Sequence, residues 1–382
     1  MNEQIKIGSI IKQIRGVSYK PTDVREADEK NAVALLRANN IQETGLNFDE
    51  LVYIDRSMVK SEQYLRAGDI LICSSSGSKN LVGKAAYVPE DLPCSFGAFC
   101  KVVRTQAVDS YYLGQYFQSP RYRQEISEAS AGANINNIRN EHIDELTIPA
   151  HSKSEQMEIV QILLCLNKQI DCTKQHLEKL DELVKSRFIE LFGLPVSNSK
   201  GWNTEKMREV APAVNYSGGF EDTVWLLNLD MVEAQTGRIL DYLYVNEEEV
   251  GNSTCTFDTT NVLYSKLRPY LNKVVIPDRC GYATSELIPL KPNPMKLERT
   301  YLAFMLRSDE FVNMINEKVA GAKMPRVSMS DFKEFDVPVP PMELQKQFDA
   351  FVEQTDKSKL VVHKSLEKLE TLKKALMQKY FG

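Results

Sequence analysis

The sequence predicts an α+β fold that is built twice: two similar mixed α/β domains separated by two long antiparallel coiled-coil helices, with a pseudo-twofold internal repeat. Residues 111–193 align with 300–382 without a gap at an offset of 189, and 20 of the 83 aligned positions are identical. Short β-type runs occur in both halves of the chain, and an apolar heptad pattern fills the end of each half. A repeat of this length indicates two copies of one folded unit rather than a solenoid of short repeats.

The 382 residues are enough for two or three domains, each with its own core. The repeat predicts a first mixed domain at 1–151 and a first helix at 152–193. It predicts a second mixed domain at 194–340 and a second helix at 341–382.

The mixed domains contain short β-type runs bounded by turn residues, at 68–73, 83–88 and 99–103, and again at 261–264 and 273–276. An amphipathic helix is predicted at 110–128 and at 299–317. A loop of small residues follows each helix, and an extended stretch with Pro149 or Pro338 then leads to the long helix. Proline disfavours helix in the residue before it, so it marks this boundary.

The long helices are predicted at 153–191 and 342–380, about 55–60 Å each at ~1.5 Å per residue. Apolar residues spaced alternately by four and three positions predict a coiled-coil seam in each helix, and bundle packing is the simpler alternative. The predicted seam is Ile159, Leu163, Leu166, Ile170, Thr173, Leu177, Leu180, Val184, Arg187 and Leu191 in the first helix, and Phe348, Val352, Thr355, Lys359, Val362, Leu366, Leu369, Lys373, Leu376 and Tyr380 in the second.

Composition and missing motifs exclude several classes of protein. The chain has no GxxxxGK[ST] loop, HExxH or GxSxG, and it lacks the signature of amino-methyltransferases. We therefore expect no catalytic residue, no metal site and no cofactor of its own. Seven cysteines without a CxxC pair, no apolar run long enough for a membrane and no secretory signal at the start favour a cytoplasmic protein.

Three loops in each copy carry side chains suited to nucleic acid. The first loop is 74–80 or 265–273, the second is 130–139 or 319–326, and the third is 35–40 or 226–230. Hydroxyl, amide and cationic groups bind phosphates, and Arg, Lys and Asn also read base edges. The candidate residues are Ser74, Ser76, Lys79, Lys266, Arg268, Tyr270 and Lys273 in the first loop, Asn134, Asn137, Arg139, Lys323 and Arg326 in the second, and Arg37 and Asn39 in the third.

An ordinary turn is the structural alternative for each of these loops, because Ser, Asn and Gly are common turn residues. The net charge of −5 argues mildly against a protein that grips nucleic acid through bulk charge. However, the loops recur in both copies while their polar residues differ. Two domains that recognise different nucleic-acid sequences would need one scaffold of this kind with different side chains.

The two lead-ins to the long helices, 146–149 and 335–341, the matched Leu-Glu-Lys-Leu runs at 177–180 and 366–369, and the strings at 68–71 and 262–270 carry a family resemblance. In order and duplication the chain resembles the specificity subunit of type I restriction–modification systems. The first lead-in, Pro-Ala-His-Ser, departs from the family pattern, and the second is typical of it.

The resemblance implies two target recognition domains, each reading one half of a bipartite site in double-stranded DNA. It implies that the helices set the spacing and dock methyltransferase (modification) subunits, which carry S-adenosylmethionine, and that a restriction (translocase) subunit joins the complex. Two alternatives stay open. One is a coiled-coil adaptor that binds protein rather than DNA. The other is a fused methyltransferase, which lacks its cofactor motif here.

Overall fold

The computed structural model describes residues 3–42, 45–78, 80–105, 107–130, 137–220, 222–319 and 324–382. The chain divides into two units: unit 1 contains 1–173 with 365–382, and unit 2 contains 174–364. Each unit holds one mixed domain, the beginning of the long helix that follows it and the end of the other long helix. This division cuts both long helices, so the four sequence segments proposed above stay a prediction.

Unit 1 is built on two four-stranded sheets. Its strands are β1 Gln4–Lys6, β2 Ile11–Arg15, β3 Val24–Arg25, β4 Ala32–Leu36, β5 Ile41–Gln42, β6 Gly45–Leu46, β7 Val52–Asp55, β8 Ile70–Cys73, β9 Ala85–Tyr87, β10 Ser95–Phe96, β11 Cys100–Thr105 and β12 Thr147–Pro149. The sheet orders are β10-β4-β7-β3 and β2-β11-β8-β9, and two ribbons pair β1 with β12 and β5 with β6. Every residue of β8 is buried, which explains its unbroken apolar run.

Unit 2 repeats this plan. Its strands are β13 Thr204–Lys206, β14 Thr223–Leu227, β15 Leu243–Asn246, β16 Thr254–Phe257, β17 Val262–Ser265, β18 Val274–Val275, β19 Gly281–Thr284, β20 Leu287–Leu290 and β21 Asp336–Pro338. The sheet order β18-β17-β20 matches β9-β8-β11, and β15-β14-β19 matches β7-β4-β10. The ribbon of β13 and β21 matches that of β1 and β12.

The helices are α1 Ser110–Tyr116, α2 Pro120–Ser130, α3 Asn140–Asp144, α4 Lys153–Phe192, α5 Met207–Val210, α6 Arg299–Arg307, α7 Asp309–Lys318, α8 Met329–Lys333 and α9 Met342–Phe381. The prediction of a single amphipathic helix in each copy was wrong, because α1 and α2, like α6 and α7, are separate. Ser119 and Ser308 directly precede the second helix of each pair. Their Oγ atoms accept hydrogen bonds from the backbone N–H of Tyr122 (3.1 Å) and Phe311 (3.3 Å), as N-caps do.

The long helices α4 and α9 confirm the predicted seam. Every predicted seam position in both helices is buried or half-buried. In unit 1, Leu163 near the start of α4 shares a core with Met377 and Phe381 at the end of α9. In unit 2, the end of α4 packs on Phe348 and Val352 near the start of α9. Within each unit the two helix segments therefore run antiparallel.

Lys359 of α9 shows how the seam accepts a charge. Its Nζ lies 2.6 Å from Asp181 Oδ1 of α4, and the lysine side chain is only 20% exposed. The lysine stem covers apolar surface while its ammonium group meets a carboxylate on the facing helix. The weaker second seam is thus reinforced by an ion pair between the helices of unit 2.

A buried glutamine joins each long helix to its mixed domain. Gln156 Oε1 accepts from the backbone N–H of Asp109 (3.0 Å), and its Nε2 donates to the carbonyl of His151 (2.8 Å). Gln345 does the same with Glu298 and Pro340, both at 2.8 Å. The amide therefore ties the start of a short helix to the lead-in of the long helix.

A buried tyrosine adds a second tie. Tyr112 donates its hydroxyl hydrogen to the carbonyl of Pro149 (3.2 Å), and Tyr301 donates to Pro338 (2.9 Å). Burial raises the pKa of both phenols, so both stay protonated donors. These residues are identical in the two copies because they hold the same joint.

We predict that Phe348→Ala destabilises the protein by about 3–5 kcal/mol, the usual loss for a buried phenylalanine. Phe348 is fully buried, and its ring centroid lies 5.2–5.5 Å from those of Phe188, Phe192 and Phe304. Chemical denaturation measures the change. Leu360→Ala, at a 56% exposed position of the same helix, is the matched control and should cost about 0.5 kcal/mol or less. Equal losses in the two variants would contradict the packing described.

Candidate functional site

The first and second loops lie side by side in unit 1. The first loop leaves β8 at Ser74, whose carbonyl accepts from the backbone N–H of Ile138 at 2.8 Å. Ser75 and Asn137 form an antiparallel bridge. Two segments more than 60 residues apart are thereby joined at the end of one buried strand.

Unit 2 joins its first and second loops through the same backbone pattern. Leu267 bridges Arg326, and the N–H of Val327 donates to the carbonyl of Lys266 at 2.9 Å. On the other side of the bridge, the N–H of Arg268 donates to the carbonyl of Pro325 at 2.8 Å. The grouping of these two loops recurs in both units.

The third loop reaches the first loop in unit 2 through a lysine. Lys273 Nζ donates to the carbonyl of Leu229 at 2.6 Å. Burial lowers the pKa of this lysine, while nearby Asp230 favours its charged form. Lys273 therefore holds two of the predicted loops together.

In unit 1 the third loop connects through residues 97–99. The N–H of Gly97 donates to the carbonyl of Leu36 at 2.9 Å, and the carbonyl of Phe99 accepts from the N–H groups of Ser74 and Ser75. Arg37 donates from Nη2 to the carbonyl of Glu50 at 2.7 Å, so its guanidinium group is engaged within the fold.

Several other predicted residues have defined surroundings in unit 1. Ser74 is buried, and its hydroxyl donates to the carbonyl of Phe99 at 2.9 Å. Ser76 Oγ is half-buried and accepts from the N–H of Ser78 at 3.2 Å. The exposed candidates are Asn39, Asn137 and Arg139. Lys79 and Asn134 lie outside the described residues.

In unit 2 the exposed candidates include Arg268 and Tyr270. Arg268 has a φ of +49°, a left-handed conformation that is uncommon for a residue with a side chain. Tyr270 is 47% exposed. Lys266 is half-buried, and Arg326 is exposed. Lys323 lies outside the described residues.

Two residues at the loop cluster were missed by the sequence reasoning, Phe99 in unit 1 and Glu286 in unit 2. They are structural equivalents: Phe99 precedes β11 and accepts from Ser74, while Glu286 precedes β20 and accepts from Lys266. Phe99 is 69% exposed. A large apolar residue standing directly before an apolar strand was the available signal for Phe99. Glu286 gave none, because a carboxylate does not resemble a phosphate ligand.

Lys101 bonds the residue that directly follows the second loop of unit 1. It is 7% exposed, and its Nζ donates to Asn140 Oδ1 (2.8 Å) and Gln13 Oε1 (3.1 Å). Burial lowers its pKa to about 8, against the opposing pull of the Asp144 and Glu141 carboxylates.

Two further properties concern the described residues as a whole. Within the described ranges, no helix has both the length and the apolar character to cross a membrane. In the same part of the chain, no group of three or more His, Cys, Asp or Glu side chains is arranged to hold a metal ion.

The fold and the loops define a duplicated binding protein with two loop clusters of one design. A family model described as the type I restriction modification DNA specificity domain matches residues 2–182 and again 238–371. The two matches cover most of the chain. The chain therefore belongs to this family, and the resemblance stated from the sequence is confirmed.

Relatives of known function agree with this assignment. The chain is 38% identical over 180 residues to the type I restriction enzyme StySPI specificity subunit of Salmonella potsdam, covering 47% of this chain and 39% of that one. It is 37% identical over 207 residues to the EcoKI specificity subunit of Escherichia coli (strain K12), covering 54% and 44%. The aligned part of the chain spans less than half the length of these relatives.

Solved structures show the same fold. The S subunit of a type I restriction-modification system from M. genitalium matches with a TM-score of 0.57 and 15% identity, covering 100% of this chain and 96% of that one. A chain from a study of complex assembly and conformational transition of the type I R-M system matches with a TM-score of 0.57 and 14% identity, covering 99% and 97%.

We predict that wild-type protein gains stability relative to Lys101→Met as the pH rises from about 8 to 10. The folded-state pKa of Lys101 is depressed below the ordinary lysine value, so between these pH values the unfolded chain binds more protons than the folded one. Well below pH 8 the lysine is protonated in both states and contributes no slope. Denaturation of both proteins across this range measures the difference. A constant difference would contradict the burial of a titrating Lys101.

Proposed function

We propose that this chain is the sequence-specificity subunit of a type I restriction–modification complex. Unit 1 and unit 2 would each read one half of a bipartite site in double-stranded DNA through their loop clusters. The observation that carries the proposal is the repeated loop pairing. The same backbone bonds join Ser74 to Ile138 in unit 1 and Lys266 to Val327 in unit 2, while the polar side chains differ.

The side chains of the first loop differ between the two units, as recognition of two different half-sites would require. The first loop of unit 1 offers hydroxyls, and the first loop of unit 2 offers Lys266 and Arg268. Arginine and lysine bind guanine and phosphates, while serine bonds less selectively. One backbone frame with two side-chain sets is what recognition of two different half-sites requires.

The chemistry would belong to partners. We propose that methyltransferase subunits dock on the long helices and carry S-adenosylmethionine, and that a restriction (translocase) subunit completes the complex in the cytoplasm. The chain itself would be non-catalytic. Partner subunits would also supply part of the positive surface for DNA, which suits the net charge of −5.

Methylation-site mapping with the assembled complex tests the proposal directly. A bipartite motif with a constant spacer is expected from a host that carries the chain and its methyltransferase partner. Binding of the chain to protein partners, with no sequence-dependent DNA binding either alone or with the methyltransferase, would favour a coiled-coil adaptor instead.

We predict that Arg268→Ala or Lys266→Ala weakens or relaxes recognition of one half-site only. Loss of a good base contact should cost about 1–3 kcal/mol of discrimination. Mapped methylation motifs measure the effect position by position. Lys296→Ala is the matched control, because Lys296 is paired with Glu205 and lies outside the three loops. An equal loss at both half-sites would count against separate readers.

We also predict that the helix length sets the spacer between the half-sites. Duplicating residues 167–173 in α4 together with 365–371 in α9 adds one heptad to each helix and keeps the antiparallel seam. Each helix lengthens by about 10 Å and turns by only about 20°. The spacer should grow by about three base pairs, since successive base pairs are ~3.4 Å apart. Duplication in α4 alone is the control and should abolish specific binding. An unchanged spacer in the double duplication would contradict the prediction that helix length sets the spacer.

A further inference from the structure

The backbone around Arg326 is bonded to the first loop of unit 2. Its backbone bridges Leu267, and the neighbouring residues on both sides, Pro325 and Val327, bond to the first loop. The backbone that carries the side chain is therefore already ordered, which reduces the entropy lost when this segment binds a ligand.

The side chain of Arg326 is also held. Its Nη2 donates to Glu286 Oε1 at 2.7 Å, yet the arginine side chain remains 57% exposed. Within the described ranges, one of the five guanidinium N–H donors bonds an acceptor, which leaves four. The remaining edge of the guanidinium group is free to make a bidentate contact.

Glu286 has little else to do in the fold. Its side chain is 19% exposed, and its Oε2 is buried with no hydrogen-bond partner among the described residues. In the part of the chain that the structure describes, Arg326 is therefore the one partner of this carboxylate. A buried carboxylate oxygen that stays unpaired is unfavourable, so stability of unit 2 does not account for a glutamate at this position.

The equivalent pair in unit 1 carries no such arrangement. Asn137 stands where Arg326 does, and Phe99 stands where Glu286 does. Of these two equivalent positions, the one beside an arginine holds a carboxylate and the one beside an asparagine does not. Asparagine is neutral and short, and it needs no counter-ion.

We propose that Glu286 is a positioning residue that orients Arg326 for bidentate contact with a guanine in the half-site read by unit 2. Guanine is the base whose O6 and N7 match the arginine fork in the major groove. The proposal rests on the proposed function and adds to it one base, one reader and the residue that aims the reader. Arginine held by a carboxylate is pre-organised, so discrimination falls when the carboxylate is removed.

Methylation mapping of the assembled complex, with variants of these two residues, tests this inference. Arg326→Ala and Arg326→Lys should both lose the preference for guanine at one position of one half-site, since lysine lacks the planar fork. Glu286→Ala should weaken preference at the same position by about tenfold. Glu286→Gln keeps an oxygen that can accept from Arg326 and should restore most of the preference.

Coupling separates positioning from a structural role. In the Arg326→Ala background, Glu286→Ala should change the motif no further, because Glu286 acts through the arginine. The other half-site and the unfolding midpoint should stay as in wild type. Glu205→Gln, which alters a comparable ion pair with Lys296, is the matched control and should leave the motif unchanged.

A second design places the residue pair of unit 1 in unit 2. Arg326→Asn combined with Glu286→Phe gives unit 2 the pair found in unit 1, and preference at the affected position should move from guanine towards adenine, which asparagine reads.

Three results would overturn the inference. One is an unchanged motif in Arg326→Ala. Another is a loss in Arg326→Ala that Glu286→Ala does not share. The third is a Glu286→Ala effect that spreads over both half-sites. Failure of the proposed function would look different, because wild-type complex would then yield no bipartite motif at all.

Discussion

The joint between each mixed domain and its long helix depends on one buried amide. Gln156 and Gln345 each use the side-chain oxygen and nitrogen to join backbone groups that no helix or sheet satisfies. A buried amide group that lost these partners would be left unpaired, so the geometry of the joint has little freedom. The amide therefore helps to fix the place where each long helix begins.

Each unit contains the end of the long helix that begins in the other unit. Phe381, at the end of α9, packs at 5.1 Å from the ring of Tyr112 in unit 1. Phe192, at the end of α4, packs at 4.8 Å from Tyr301 in unit 2. Each tyrosine also bonds the proline lead-in of its own half. Neither core is therefore complete without a segment from the other half of the chain, which explains why the matched residues of the repeat are scaffold residues.

Much of the scaffold could be predicted because its signals are local or periodic. The seam followed from a spacing of 3.5 residues, and the buried strand β8 followed from an unbroken apolar run. The break at Ser119 was missed although serine and Pro120 are both typical of a helix start. The apolar pattern of α1 continues into α2. This periodicity therefore indicated one helix, despite the helix-start signal at Ser119 and Pro120.

The site could be predicted as a set of loops but not as a set of free side chains. Whether a polar group faces solvent or serves the fold depends on partners far away in sequence. The hydroxyl of Ser74 and the ammonium of Lys273 both bond backbone carbonyls, 25 and 44 residues away respectively. Glu286 could not be found by searching for phosphate ligands, because its carboxylate repels phosphate and acts on a cation instead. The residues proposed for recognition in unit 2 therefore include one whose charge has the same sign as that of the phosphates, because it bonds a neighbour of the opposite charge.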